Sequence, residues 1–189
     1  MKQLLLAIAL AWAPLRAEVL EVRIQWTPQL CNDICAKNLE KQFHRIYNVD
    51  EITMNRPSGQ VLLKYKPRGV YNFGPINTAM QMIGLTINDI HVKVRGHIKA
   101  TDREVLLISD GDASVFFLMS PVRPDTGKYV ENYNPATHQL TVQHRNQLIE
   151  AARSKQYVTI SGPLFEPERA PPNYLIVQEI KTEDEKTDK

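Results

Sequence analysis

Residues 20–26 read LEVRIQW and alternate apolar with polar side chains along their whole length. A period of two is typical of a strand with one buried face. Apolar residues then recur at about 3.6-residue spacing from Ile34 to Ile46, which predicts a helix. Similar patterns predict strands at residues 49–54 and 61–65, a helix at residues 74–83 and a further strand from residue 87 onward.

These elements follow one another as strand, helix, strand, strand, helix and strand. A ferredoxin-like domain has this βαββαβ order, and we expect it for residues 18–90. The segment Arg-Pro-Ser-Gly at 56–59 reads as the turn between the second and third strands. Gly84 is expected to end the second helix, because glycine is common directly after a helix.

The pattern changes near residue 91. Residues 92–99, VKVRGHIK, alternate again and predict a strand. The later patterns predict strands at 105–108 and 115–119, a short strand at 140–142, a helix at 146–155 and strands at 157–161 and 174–180. Three strands, a helix and two strands favour a small OB-like β-barrel domain at 91–181, so the fold class is α+β. Residues 182–189 are nearly all charged and are predicted to form a disordered tail.

The N-terminus has the features of a secretory signal peptide. Lys2 precedes an apolar run at residues 4–12, and small residues follow it. A bilayer span needs about 20 apolar residues, so this run is too short to be one. Pro14 disfavours the earlier of two cleavage points, and we therefore predict that residues 1–17 are removed and that Glu18 becomes the N-terminus. A buried N-terminal helix is the alternative.

Charge and export together limit the partners. The chain has 23 basic and 21 acidic residues, and removing Lys2 and Arg16 leaves 21 of each. A neutral, exported protein is a poor candidate for nucleic-acid binding, so the basic strand edge around Lys93 and Arg95 is expected to be a solvated face. The mature chain has no segment that predicts a membrane span. A periplasmic or secreted location would allow its two cysteines to be oxidised.

The segment 35–43, CAKNLEKQF, resembles the first helix of heavy-metal-associated (HMA) domains, the module of copper chaperones and metal ATPases. In that family a cysteine opens a helix with aliphatic residues at this spacing. Residues 48–52, 58–61 and 83–85 are similar to the family's turn into the second strand, its hairpin and the end of its second helix. The resemblance covers about residues 19–90 and implies a ferredoxin-like fold with a soft-metal site.

The family motif is Met-x-Cys-x-x-Cys, whereas this chain has Cys31 and Cys35 as Cys-x-x-x-Cys. By resemblance these two residues are the expected ligands of a soft ion such as copper, as Cu(I), which prefers thiolates. Zinc is a weaker candidate, because two sulfurs fill half of its tetrahedral shell and no histidine is placed to complete it. Three other roles stay open for the pair: a disulfide, two reduced cysteines that only pack, or a catalytic nucleophile.

Two functions from different classes follow. The first is an exported, non-enzymatic HMA-like protein that binds or buffers a soft metal ion, with the OB-like domain contacting another exported protein. The second is an adaptor or interaction protein with an HMA-like fold, in which Cys31 and Cys35 form a disulfide or only pack. A thiol-redox enzyme is the third candidate. The sequence has no phosphate loop, dinucleotide fingerprint or Gly-x-Ser-x-Gly motif.

Overall fold

A computed structural model gives the architecture of the chain and describes residues 18–67, 69–109, 112, 114–121, 140–168 and 172–183. The predicted signal peptide lies outside these ranges. Strands β1 to β9 span Glu18–Gln25, Val49–Asn55, Gln60–Tyr65, Asp89–Ala100, Val105–Ile108, Val115–Met119, Tyr157–Phe165, Asn173–Ile176 and Glu179–Glu183. Helices α1 to α3 span Asp33–Phe43, Phe73–Met82 and Val142–Arg153, and a short 3-10 helix spans Pro28–Leu30. The α+β class predicted from the sequence is confirmed, with strands dominant.

Six strands form an open antiparallel sheet in the order β2-β3-β1-β4-β7-β9. Buried and partly exposed residues alternate along most of β4, as its period-two sequence predicts. Helix α1 packs against α2 and β2. It buries Leu39 and Phe43, while α2 buries Ile76 and Met80. The two helices therefore cover the apolar side of the sheet.

Five strands close into a β-barrel in the order β4-β5-β6-β8-β7, and the pairing of β7 with β4 completes the ring. The β6–β8 pair is parallel, and the other pairs are antiparallel. Helix α3 follows β6 in the chain, packs against β4 and buries Leu148 and Ala151. Because β4 and β7 occur in both strand orders, they belong to both the open sheet and the barrel. The predicted domain boundary at residue 90 falls inside β4.

Two glycines allow these shared strands to pass from the sheet into the barrel. Strand β4 pairs with β1 up to Arg95 and with β5 directly after Gly96. A Cβ atom at Gly96 would overlap the Ile108 carbonyl oxygen, and a Cβ atom at Gly162 of β7 would overlap that of Ile176. A glycine in a strand commonly marks such a close approach of a second backbone.

The sheet and the barrel pack around one continuous cluster of buried apolar side chains. Tyr71, before α2, joins the two parts. Its ring centroid lies 6.0 Å from that of Tyr65 on β3 and 6.2 Å from that of Phe116 on β6. Its backbone N–H donates a 3.0 Å hydrogen bond to the carboxylate of Asp112, in the β5–β6 connection. Apolar packing and this hydrogen bond therefore fix the barrel against the sheet.

The short strand predicted at 140–142 is absent, which corrects the sequence prediction. The side-chain oxygen of Thr141 accepts a 3.2 Å hydrogen bond from the His144 N–H. Threonine in this position starts a helix by satisfying one of its unpaired N–H groups. Helix α3 consequently begins at Val142, four residues earlier than the sequence pattern predicts.

The single strand predicted at 174–180 is two strands, β8 and β9. Against β7, Leu175 pairs with Leu164, whereas Glu179 pairs with Ser161, so the register shifts by one residue between them. Such an extra residue is a β-bulge, which bends the strand. The bend lets β8 close the barrel while β9 stays in the open sheet. Strand β9 also includes residues 182–183 of the predicted tail, and the rest of the tail lies outside the described residues.

Candidate functional site

The Cys31–Cys35 pair lies where β1 leads into α1. The 3-10 helix Pro28–Leu30 follows β1, and Cys31 after it has an extended backbone. Asn32 caps α1, because its side-chain oxygen accepts a 2.9 Å hydrogen bond from the Cys35 N–H. Asp33 adds a carboxylate to the first turn, where the helix dipole favours negative charge. The residues between the two cysteines therefore determine where the helix starts.

The two sulfurs are joined in a disulfide, and the Cα atoms lie 5.2 Å apart. The extended backbone of Cys31 brings them within the usual disulfide range of about 4.4–6.8 Å. Cys31 is 1% exposed, and Cys35 packs partly buried against the same core. Of the roles that the sequence leaves open for this pair, the disulfide is confirmed. Because thiolates are the form that binds metal, the pair can coordinate a soft ion only after reduction.

We call the 3-10 helix, the disulfide and the first turn of α1 the disulfide end. Two contacts tie it to distant parts of the chain. The Asp33 carboxylate lies 2.7 Å from Nε of Arg56 in the β2–β3 turn. The side-chain amide of Asn88, directly before β4, donates a 3.0 Å hydrogen bond to the Thr27 hydroxyl. The disulfide end is therefore held covalently and by neighbouring loops on two sides.

Three large apolar side chains are exposed at this end of the sheet. Leu30 and Ile34 each precede a bridged cysteine and are 65% and 71% exposed. Met82, the last residue of α2, is 63% exposed. The six residues that follow it lead to Asn88, whose amide is hydrogen-bonded to Thr27 at the disulfide end. We call these three exposed side chains the apolar patch.

Periodicity in the sequence misses this patch. The sequence pattern counts Ile34 in the apolar face of α1, and this assignment is wrong because Ile34 is 71% exposed. The buried stripe of α1 runs through Leu39 and Phe43, which leaves Ile34 about 140–180° away from the stripe at 100° per residue. Met82 follows the buried Met80 by two positions and is turned about 200° away from it. Helical-wheel geometry could have identified both.

Among the described residues, no group of three or more histidine, cysteine, aspartate or glutamate side chains is placed to hold a metal ion. His91 and His97 lie on β4 and have other contacts. His91 Nδ1 lies 3.0 Å from the Asp89 carboxylate, and the His97 ring packs on Tyr157 with centroids 3.9 Å apart. The structure does not bring these histidines to the disulfide.

The solvent-exposed face of the sheet carries ion pairs between strands. Lys93 lies 3.7 Å from Glu21, and Arg95 lies 2.8 Å from Glu183. The Arg95 guanidinium also lies over the Tyr157 ring, 4.6 Å from its centroid. The basic strand edge seen in the sequence is therefore compensated by carboxylates on β1 and β9.

Fold and site together define an α+β protein with a closed five-stranded barrel and a disulfide at the start of its first helix. Comparison with protein-family models finds no match, and comparisons with curated proteins and with solved structures find none either. Within the described ranges, none of the helices has the length and apolar character needed to cross a bilayer.

Proposed function

We propose that this protein is an exported, non-enzymatic interaction protein that docks a partner at its disulfide end. The observation that carries the proposal is the apolar patch, in which Leu30, Ile34 and Met82 are each more than half exposed. The disulfide and the Asp33–Arg56 ion pair hold this end in place. A site that is ordered before binding loses less conformational entropy when the partner arrives. The disulfide orders the backbone beside these exposed apolar side chains and therefore favours the docking of a partner protein there.

We further propose that the first unit is ferredoxin-like and HMA-like and that the barrel is OB-like. The strand order β2-β3-β1-β4 with two helices supports the first assignment. The parallel β6–β8 pair and the position of α3 between the third and fourth barrel strands support the second. Such folds serve many functions, so the site has to carry the functional argument.

Export is part of the proposal, because disulfides persist in oxidising compartments such as the periplasm or the cell exterior. Strand β1 begins at Glu18, so cleavage after Ala17 would leave every described strand and helix intact. The proposed partner is another exported protein rather than nucleic acid, and the ion pairs on the open sheet face fit that choice.

Site-specific photo-crosslinking tests the docking. A benzoyl-phenylalanine in place of Ile34, in cells that export the protein, is expected to give one discrete adduct with a partner protein. The same group in place of Gln147, an exposed residue of α3, is the matched control and should give none. Leu30→Ser/Met82→Ser should remove the adduct and shift the melting temperature by less than about 4 °C, because exposed residues contribute little to stability. No adduct at residue 34, or the same adducts at both positions, would contradict the proposal.

Soft-metal binding is a second candidate function, favoured by one observation. The Cα atoms of Cys31 and Cys35 are 5.2 Å apart, so two thiolates released by reduction would lie close enough to share an ion. Cu(I) is the expected metal, at about one ion per chain, because it prefers soft ligands. Zinc would bind more weakly with half of its shell unfilled.

Two measurements separate the candidates. The first is a thiol count on protein taken from its own compartment, and the second is a Cu(I) titration of the reduced chain against a competing chelator. The docking function predicts that both cysteines are blocked and that Cys31→Ser/Cys35→Ser does not change Cu(I) affinity. The metal function predicts thiols that are free or held by metal, and a strong loss of Cu(I) affinity in the serine variant.

A further inference from the structure

A cleft of about 620 Å³ lies between α2 and the chain that follows β7. Its floor includes Phe73, Leu85, Ile90 and Leu164, each less than 10% exposed. Ligand sites commonly enclose about 300–1,000 Å³ and are lined mainly by apolar side chains with a few polar groups. None of the three residues of the apolar patch lines the cleft, so it is a second candidate site.

One wall of the cleft is a stripe of α2. Phe73, Asn77 and Gln81 line it at four-residue spacing. Eight residues of helix rise about 12 Å, which matches about four residues of extended chain at about 3.3 Å each. The Asn77 and Gln81 amides each offer hydrogen-bond donors and an acceptor, which complement a peptide backbone. Length and hydrogen-bonding groups therefore suit an extended peptide segment.

The charged side chains that line the cleft are acidic. Glu166 and Glu168 lie on the segment after β7, and Asp89 lies at the start of β4. None of the described lining residues is a lysine, an arginine or a histidine, although Asp89 contacts His91 at 3.0 Å and Glu166 also has an interaction of its own. Carboxylates arranged around a cleft attract a cationic side chain and repel an acidic one.

We propose that this cleft binds an extended segment of a partner protein that carries lysine or arginine. The apolar floor takes the apolar side chains of the segment, Asn77 and Gln81 hold its backbone, and the carboxylates hold its basic side chain. The inference rests on the proposed interaction function and adds the chemistry of the partner. It uses no residue of the apolar patch, so the two sites can be tested separately.

Peptide binding to the mature chain, residues 18–189, tests the proposal. The probe is a fluorescein-labelled hexapeptide of alternating valine and lysine, and the control probe alternates valine and glutamate. Fluorescence anisotropy at low salt is expected to show at least about tenfold tighter binding of the lysine peptide, because complementary charge discriminates between partners. The difference should shrink as salt is added, since the screening length falls to about 10 Å at 0.1 M.

Two double variants locate the binding. Glu166→Gln/Glu168→Gln keeps side-chain size and should weaken the lysine peptide at least about fivefold. Glu40→Gln/Glu150→Gln changes the net charge equally on α1 and α3 and should change binding less than about twofold. No binding of the lysine peptide, equal binding of the two peptides or an equal loss in the two variants would overturn the inference. Crosslinking at Ile34 tests the apolar patch and not the cleft. Its outcome therefore distinguishes a failure of the cleft proposal from a failure of the docking proposal.

Discussion

Removing the Cys31–Cys35 bond is expected to lower the free energy of unfolding by about 2 kcal/mol. The sequence separation of 4 closes a loop of five residues, counting both cysteines. In the chain-entropy account, the constant part and the loop-length part contribute about 0.6 and about 1.4 kcal/mol at 25 °C. For a chain of this length, 1 kcal/mol corresponds to about 2–4 °C in melting temperature. Reduction should therefore lower the melting temperature by about 4–8 °C.

Urea and thermal unfolding of the mature chain, followed by circular dichroism with and without reductant, measure this difference. Cys31→Ala/Cys35→Ala is the control for the reductant, because its unfolding midpoint should not respond. Cys31 is almost fully buried, so the alanine variant also loses the packing of a sulfur. Comparing it with the reduced wild-type chain isolates that loss from the effect of the cross-link.

A decrease of less than about 0.5 kcal/mol on reduction would refute the reasoning. It would mean that the unfolded chain is already constrained around these residues, since a disulfide acts largely through the unfolded state. The rigid disulfide end that supports the docking proposal would then need another physical cause.

Three further predictions concern the fold. Gly162→Ala should destabilise the protein by about 3 kcal/mol in urea unfolding, because its Cβ meets the Ile176 backbone; a loss below about 1 kcal/mol would be inconsistent with that overlap. Lys155→Gly should raise stability by about 1 kcal/mol, because Lys155, two residues after the end of α3, has a φ of 55°, and an unchanged midpoint would argue against strain there. Burial raises the pKa of both Tyr65 and Tyr71. Above about pH 10 the two hydroxyls therefore lose their protons in the unfolded chain but keep them in the folded chain. The free energy of unfolding should then fall by about 1.4 kcal/mol per pH unit for each tyrosine. Urea midpoints from pH 9 to 11 measure the slope, and Tyr65→Phe should reduce it by one tyrosine's share; an equal slope in both proteins would exclude this cause.

Local periodicity was enough to place most elements of this fold. The alternation at residues 20–26 and 92–99 predicted strands, and β1 and β4 cover most of both stretches. It worked because one face of each strand is buried, so burial appears in the sequence every second residue. It failed at 140–142, where the cap formed by Thr141 outweighed a short apolar pattern.

The candidate site was predictable only in part. The spacing of Cys31 and Cys35 marked them as a pair, but that their sulfurs are joined is seen only in the folded chain, where the Cα atoms lie 5.2 Å apart. The cleft joins residues of α2 to Glu166 and Glu168, far apart in the chain, and no local pattern could bring them together.

The sequence by itself determined the α+β class, the order of the helices and strands from β1 to β6 and the position of the cysteines, because these depend on side chains within a few residues of one another. Only the tertiary structure decided that β4 and β7 serve both the sheet and the barrel, that a one-residue shift divides β8 from β9 and that the sulfurs are joined. Strand partners and registers are chosen by contacts between distant segments. Gly96 and Gly162 illustrate the reason. At each glycine the strand enters the barrel in close contact with a backbone carbonyl, of Ile108 and Ile176 respectively, that lies more than ten residues away in the sequence.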